Sequence, residues 1–187
     1  MPVQTGEFDR GDLISMLFRE TDRAQRTRTP LALIAFCIVE LARVSLEHGP
    51  DACNDAIQMI VERATRLLRS YDILGRFAFD RFLLVLPGCP ERDALLLLER
   101  LRNHVFDAPF PIANRQMSLS ATFAAVSSNG RSPIVVLREI EGILKTASEK
   151  PGSVRNSFSI AEGDDVAAEC IKPPVLDYLA SPRNQRG

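Results

Sequence analysis

Two charged residues set three apart, Arg69 and Asp72 in Arg69-Ser-Tyr-Asp72, are of types whose chemistry can meet a ligand. At a helix end that spacing puts both side chains on one rim. A guanidinium fork donates paired hydrogen bonds to planar acceptors and stacks on rings, while a neighbouring carboxylate accepts from N–H donors, so the pair fits the edge of a heterocycle. The four-residue pattern is weak alone. Arg19-Glu-Thr-Asp22 repeats it, and an exposed ion pair of this kind contributes only ~0–1 kcal/mol.

The elements that must hold this pair are legible from periodicity. Asp51 to Ser70 is the clearest helix, with Ile57, Ile60, Val61, Ala64, Leu67 and Leu68 at three- and four-residue spacings. It runs into a predicted hairpin whose two strands meet in a tight turn at Phe79-Asp80 and whose second strand Pro87 stops. Upstream, Leu13, Met16, Leu17 and Phe18 mark a helix that ends before Pro30, and the apolar run Leu31 to Val39 predicts a strand buried on both faces. Downstream, Pro90 to Val105 repeats the helical pattern through Ala94, Leu97, Leu98, Leu101 and Val105. Met117 to Val126 then predicts a strand, Ser132 to Glu149 a helix and Ser157 to Ala161 a short strand. Helices alternate with strands, and the hairpin demands an antiparallel pair, so the expectation is an α/β domain on a mixed sheet.

At 187 residues, 45% hydrophobic and 25% charged, the chain suffices for one domain with a full core, expected over residues 1–161. The formal net charge of −1 supplies no global field to recruit nucleic acid or anionic lipid, so an anionic ligand must be met by locally placed arginines. The first residues lack a basic-then-apolar signal, and no apolar run reaches the ~18 residues that cross a bilayer, which points to the cytoplasm. Cys37, Cys53, Cys89 and Cys170 show no close metal-binding spacing and read as unpaired thiols. From Glu162 the composition turns acidic, then Pro-containing, then Arg/Asn-rich, so residues 162–187 read as a flexible tail with one docking segment, Ile171 to Leu179.

The hairpin carries a family resemblance. Arg76-Phe-Ala-Phe-Asp-Arg-Phe-Leu-Leu-Val-Leu-Pro87 resembles the signature hairpin of the GGDEF domains, bacterial diguanylate cyclases that condense two GTP into cyclic di-GMP, with the motif spelled Ala78-Phe79-Asp80-Arg81-Phe82. Pro30-Leu-Ala-Leu-Ile resembles the entry to the family's first strand, Ser118-Leu-Ser-Ala-Thr-Phe-Ala its later Thr-Val-Ser-Ile-Gly-Val-Ala strand, and Thr5-Gly6-Glu-Phe-Asp-Arg10 its opening. The likeness runs over residues 3 to 160 and implies a central mixed five-stranded sheet with a β-hairpin, flanked by helices.

The resemblance also implies which chemistry has changed. The family's two divalent cations need carboxylate oxygens, and the matching first-strand positions are Cys37 and Val39, with Glu40 expected on the opposite strand face. In the motif Ala78 and Phe79 replace two glycines and Arg81 a glutamate, although Asp80 remains. Nucleotide-contacting positions correspond to Ser45, Leu46, Asn54 and Ser148. The expectation is a domain that is not an enzyme, with no catalytic residue, no magnesium and no other cofactor.

Arg69-Ser-Tyr-Asp72 falls in register with the Arg-x-x-Asp inhibitory site that many of these domains use to bind cyclic di-GMP, where arginine meets guanine O6 and N7 and aspartate accepts from N1–H and the exocyclic amine. A further ligand-facing arginine of the family matches Arg100, and one that reaches the ligand on a neighbouring domain matches Arg23. The implied function is an effector that binds cyclic di-GMP and acts through a signalling or localisation protein, with ligand-promoted homodimers and no nucleic-acid or membrane partner. The alternative is a nucleotide-independent interaction scaffold with a relic site, and GTP sensing at the hairpin is disfavoured by Phe79 and Ser148. His104 reads as a surface histidine, His48 takes no role, and Arg76 is expected to stabilise the hairpin.

Overall fold

The protein is described by a computed structural model over residues 10–148 and 154–156. The elements follow the order α1 (Arg10–Thr27), β1 (Leu31–Ile38), α2 (Leu41–Thr65), β2 (Ile73–Ala78), β3 (Arg81–Pro87) and α3 (Glu91–Val105). They continue with β4 (Phe110–Ile112), β5 (Arg115–Met117), β6 (Ala121–Ser127), α4 (Pro133–Ser148) and β7 (Val154–Asn156). Five strands form one sheet in the order β2-β3-β1-β6-β7, and β4 with β5 makes a separate ribbon. Every neighbouring pair in the main sheet is antiparallel except β6 with β7, so the sheet is mixed.

β1 explains the layering. All eight of its residues are buried. Its side chains alternate across the sheet: Ala32, Ile34, Phe36 and Ile38 join the core under α2 and α3, while Leu31, Leu33, Ala35 and Cys37 join the core under α1 and α4. Phe36 anchors the first layer, stacked on Phe82 at 5.1 Å between centroids and edge-on to Phe106 at 6.0 Å. Offset and edge contacts of this kind add roughly 0.5–1.5 kcal/mol beyond the area they bury.

Several expected boundaries move. β1 stops at Ile38 rather than Val39, because the chain turns there to start α2. Glu40 therefore leaves the strand altogether, and its carboxylate accepts from the Ser120 N–H and hydroxyl, both at 2.7 Å, tying the end of β1 to the start of β6. α2 begins ten residues earlier than its apolar periodicity indicates, breaks at Gly49 (φ +86°) and resumes at Pro50, a residue suited to a first helical turn. It ends at Thr65 rather than Ser70. Met117 belongs to the small ribbon, which sequence reading merged into β6. The last described strand is Val154–Asn156; the expected strand at Ser157–Ala161 and the tail at 162–187 fall outside the described residues.

A guanidinium welds the ribbon to the helices. Arg63 of α2 donates to the carbonyls of Val105, Ala108 and Pro109 at 2.8 to 3.0 Å and lies 4.1 Å from the centre of the Phe110 ring. On the other side of the sheet α1 presses on β2 at Gly75, where an added Cβ would sit 2.8 Å from a methyl of the fully buried Leu13. Gly75→Ala is expected to destabilise the fold by about 1–3 kcal/mol, measured by urea unfolding. Combined with Leu13→Ala, which makes room, the effects should be less than additive in a double-mutant cycle.

Candidate functional site

The Arg69–Asp72 stretch forms a turn between α2 and β2, closed from both directions. The Asp72 N–H donates to the Arg69 carbonyl at 3.1 Å, and the Arg69 N–H donates to Asp72 Oδ2 at 2.8 Å. The ladder of α2 has already tightened to i→i−3 bonds at Leu67 and Leu68, and the Asp72 side chain then takes the Arg69 N–H that a continuing helix would use. The pair is not an ion-pair clasp. Asp72 spends one carboxylate oxygen on backbone, leaving the Arg69 guanidinium to lie 5.9 Å from the Tyr71 ring centre and donate to the Tyr71 hydroxyl at 3.1 Å.

Asp72 is 7% exposed, and its burial raises its pKa above the ordinary carboxylate value, with the Arg69 N–H bond and the Arg69 charge opposing that rise. The hydrogen bond to Tyr71 raises the Arg69 pKa. Beside this turn α3 supplies the facing wall of a cavity of about 270 Å³. Arg69, Asp72 and Arg100 all line it, over an apolar floor that includes Leu67, Leu86 and Leu97. The fold thus gathers three of the four residues expected from sequence.

Arg23 stands apart. It lies on α1 with its side chain 67% exposed, 3.7 Å from Glu20 Oε2, and it lines a second cavity of about 420 Å³ shared with Tyr71. Asp93 and Cys89 also line the first cavity and escaped the sequence reading. Asp93 had a usable signal, since it precedes Arg100 by seven residues and so shares its helix face. Cys89 had none. His104 is exposed with Nδ1 3.0 Å from the Arg100 carbonyl, as a surface histidine.

The hairpin at the far end of the sheet presents a different chemistry. The Ile38 N–H bonds the Asp80 carbonyl at 2.9 Å, docking the turn on β1. The Cys37 thiol donates to Asp80 Oδ2 at 3.2 Å, and burial, reinforced by Asp80, pushes its pKa up to about 12. Arg81 Nε lies 3.7 Å from the other Asp80 oxygen. One carboxylate faced by a neutral thiol and a guanidinium does not fit a hard divalent cation, which takes several oxygen ligands. Arg76 holds the turn through the carbonyls of Ala78 and Phe79, in the stabilising role expected of it. Phe79 is half exposed, with the Arg76 guanidinium 5.4 Å from its ring centre.

Residues 4–153 match the family described as diguanylate cyclase, GGDEF domain. The chain belongs to the GGDEF family. Among its relatives, it is 27% identical over 131 residues to the diguanylate cyclase DosC of Escherichia coli, covering 70% of this chain and 28% of that protein. It is 25% identical over 149 residues to the response regulator PleD of Caulobacter vibrioides, covering 78% of this chain and 31% of PleD. The chain therefore spans about a third or less of the curated relatives it matches. The GGDEF domain of DgcB from Caulobacter crescentus, solved in complex with c-di-GMP, shares the fold with a TM-score of 0.69 and 17% identity over 83% of this chain and 95% of DgcB's.

Membership corrects one expectation. The chain was expected to fall outside the enzymes, yet the GGDEF family is described as diguanylate cyclase and DosC carries that name. The reading counted side chains changed in a linear register, and that count weighs neither the retained frame nor Asp80, which stays docked in the hairpin turn. The mixed sheet, the hairpin and the flanking helices agree with the resemblance. Among the described residues no helix is long and apolar enough to cross a membrane.

The raised Asp72 pKa sets a pH dependence. A carboxyl whose folded pKa exceeds its unfolded value contributes stability below the unfolded pKa, near ~4, and that contribution is lost as pH rises through the folded value. Asp72→Asn keeps an acceptor for the Arg69 N–H and removes the buried charge. Its stability relative to the wild type should therefore improve as pH is raised from 4 to 7, read from paired urea melts; a constant difference would contradict the assignment.

Proposed function

We propose that this GGDEF-family domain binds cyclic di-GMP in the cavity between the Arg69–Asp72 turn and α3, and that the bound dinucleotide alters how the domain meets a signalling protein partner. The observation that carries the reading is the convergence of Arg69, Asp72 and Arg100 on one cavity floored by leucines. An apolar floor takes the face of a base, the two guanidinium groups meet its O6 and N7 edge or the phosphates, and Asp72 accepts from its N–H donors. Asp72 Oδ2 is already engaged by backbone, which fixes the carboxylate in place before any ligand arrives. The DgcB structure with c-di-GMP supports the choice of ligand at the level of the family.

Arg23, exposed on α1, is suited to reach a dinucleotide held by a second copy, so the proposal includes ligand-promoted self-association. The proposal concerns what the domain binds and rests on no catalytic step.

Isothermal titration of the full chain with cyclic di-GMP is expected to give micromolar or tighter binding. Arg69→Ala, Asp72→Ala or Arg100→Ala should each weaken it by roughly 30-fold or more, the loss of about 2 kcal/mol typical of a charge-assisted contact. Undetectable binding at millimolar dinucleotide, with the chain folded by circular dichroism, would leave the interaction-scaffold reading in its place.

A further inference from the structure

A cleft of about 510 Å³ opens where the end of α1 faces the turn after β6. Gln25 Nε2 donates to the Gly130 carbonyl at 2.9 Å and joins the two walls. Arg28 is the one charged residue lining the cleft. It is exposed, and among the described residues its guanidinium makes no ion pair and no hydrogen bond. Its backbone has φ +54°, at the position after α1 where the Thr29 N–H reaches back to the Ala24 carbonyl at 3.1 Å. Glycine is the usual residue in such a helix-ending turn. An arginine there gives up backbone ease, and what it adds is a positive charge on the cleft.

The strand register places the following part of the chain beside this cleft. β7 runs parallel to β6 with Asn156 beside Ala125. Ser128, on the cleft wall, lies three residues beyond Ala125 in the same direction, about 10 Å at the rise of an extended strand. The strand direction therefore carries the chain toward the cleft. Glu162-Gly-Asp-Asp165, three carboxylates in four residues, follows six to nine positions after Asn156. That is an extended reach of about 20–32 Å, ample for the gap.

We infer that the cleft is the docking site of the chain's own acidic segment, Glu162 to Asp165, whose carboxylates pair with Arg28. A tethered segment meets its site at an effective concentration of about millimolar, so surface ion pairs that are weak between separate molecules suffice to hold it. The cleft shares Ala24 and Thr29 with the cavity of about 420 Å³, so the docked segment covers the end of α1 next to that cavity. It has no lining residue in common with the Arg69–Asp72 cavity, and the two sites are separate.

Two measurements on the full chain test the docking. Arg28→Gly removes the guanidinium and gives the helix-ending turn the residue it favours. Its thermal melt should match or exceed that of the wild type, while short-time hydrogen exchange across residues 160–170 speeds up by about threefold or more. In the other direction, Asp164→Asn combined with Asp165→Asn should shift the Asn129 and Gly130 amide signals in a heteronuclear NMR spectrum, more than thirty positions away in sequence. Unchanged exchange in Arg28→Gly, or unmoved Asn129 and Gly130 signals in the acidic-segment variant, overturns the inference. Shifts that vanish on about tenfold dilution of the protein assign the segment to the cleft of a second copy and overturn docking within one chain.

Discussion

The structure depends on one strand that has no solvent side. β1 is paired with β3 on one edge and β6 on the other, and its alternate residues pack under two separate layers of helices. A strand so enclosed cannot slip by one residue, because a slip would exchange the two sets of side chains between cores that are already filled. Both ends of the sheet that carry the candidate residues inherit their positions from it. The hairpin turn is docked by a bond from Ile38 at the carboxyl end of β1, and the turn after β3 is held by a bond from the Gly88 N–H to the Pro30 carbonyl at its amino end.

Much of this was legible because the relevant signals are local or periodic. The run from Leu31 is apolar without alternation, which identifies a strand covered on both faces, and the hairpin is marked by a polar interruption between β-forming runs. The register of Arg69, Asp72 and Arg100 emerged from a family resemblance, and the fold does bring those three to one cavity. What was hidden depends on tertiary contact. The side-chain bond that closes the Arg69–Asp72 turn after α2 is one that no periodicity reveals. The position of Glu40 follows from a partner, Ser120, eighty residues away.

The chemistry at the two ends of the sheet is opposite in kind. At the hairpin, Asp80 is faced by a thiol that burial keeps protonated and by Arg81 at 3.7 Å, so its oxygens are answered from within the protein. At the other end, Asp72 gives Oδ2 to the Arg69 backbone N–H and lines an open cavity.

Arg63 bears on how such binding would be felt. By taking the carbonyl of Val105 at the end of α3 and those of Ala108 and Pro109 just beyond it, it ties that helix to α2, and through α2 to the turn that begins the site. The walls of the cavity beside the Arg69–Asp72 turn are therefore braced from behind. Entry of a guest has to still two long cationic side chains but need not reshape the main chain, which keeps the entropic penalty of capture small. On the proposed reading, the signal passes through what the occupied surface presents to a neighbour rather than through deformation of the frame.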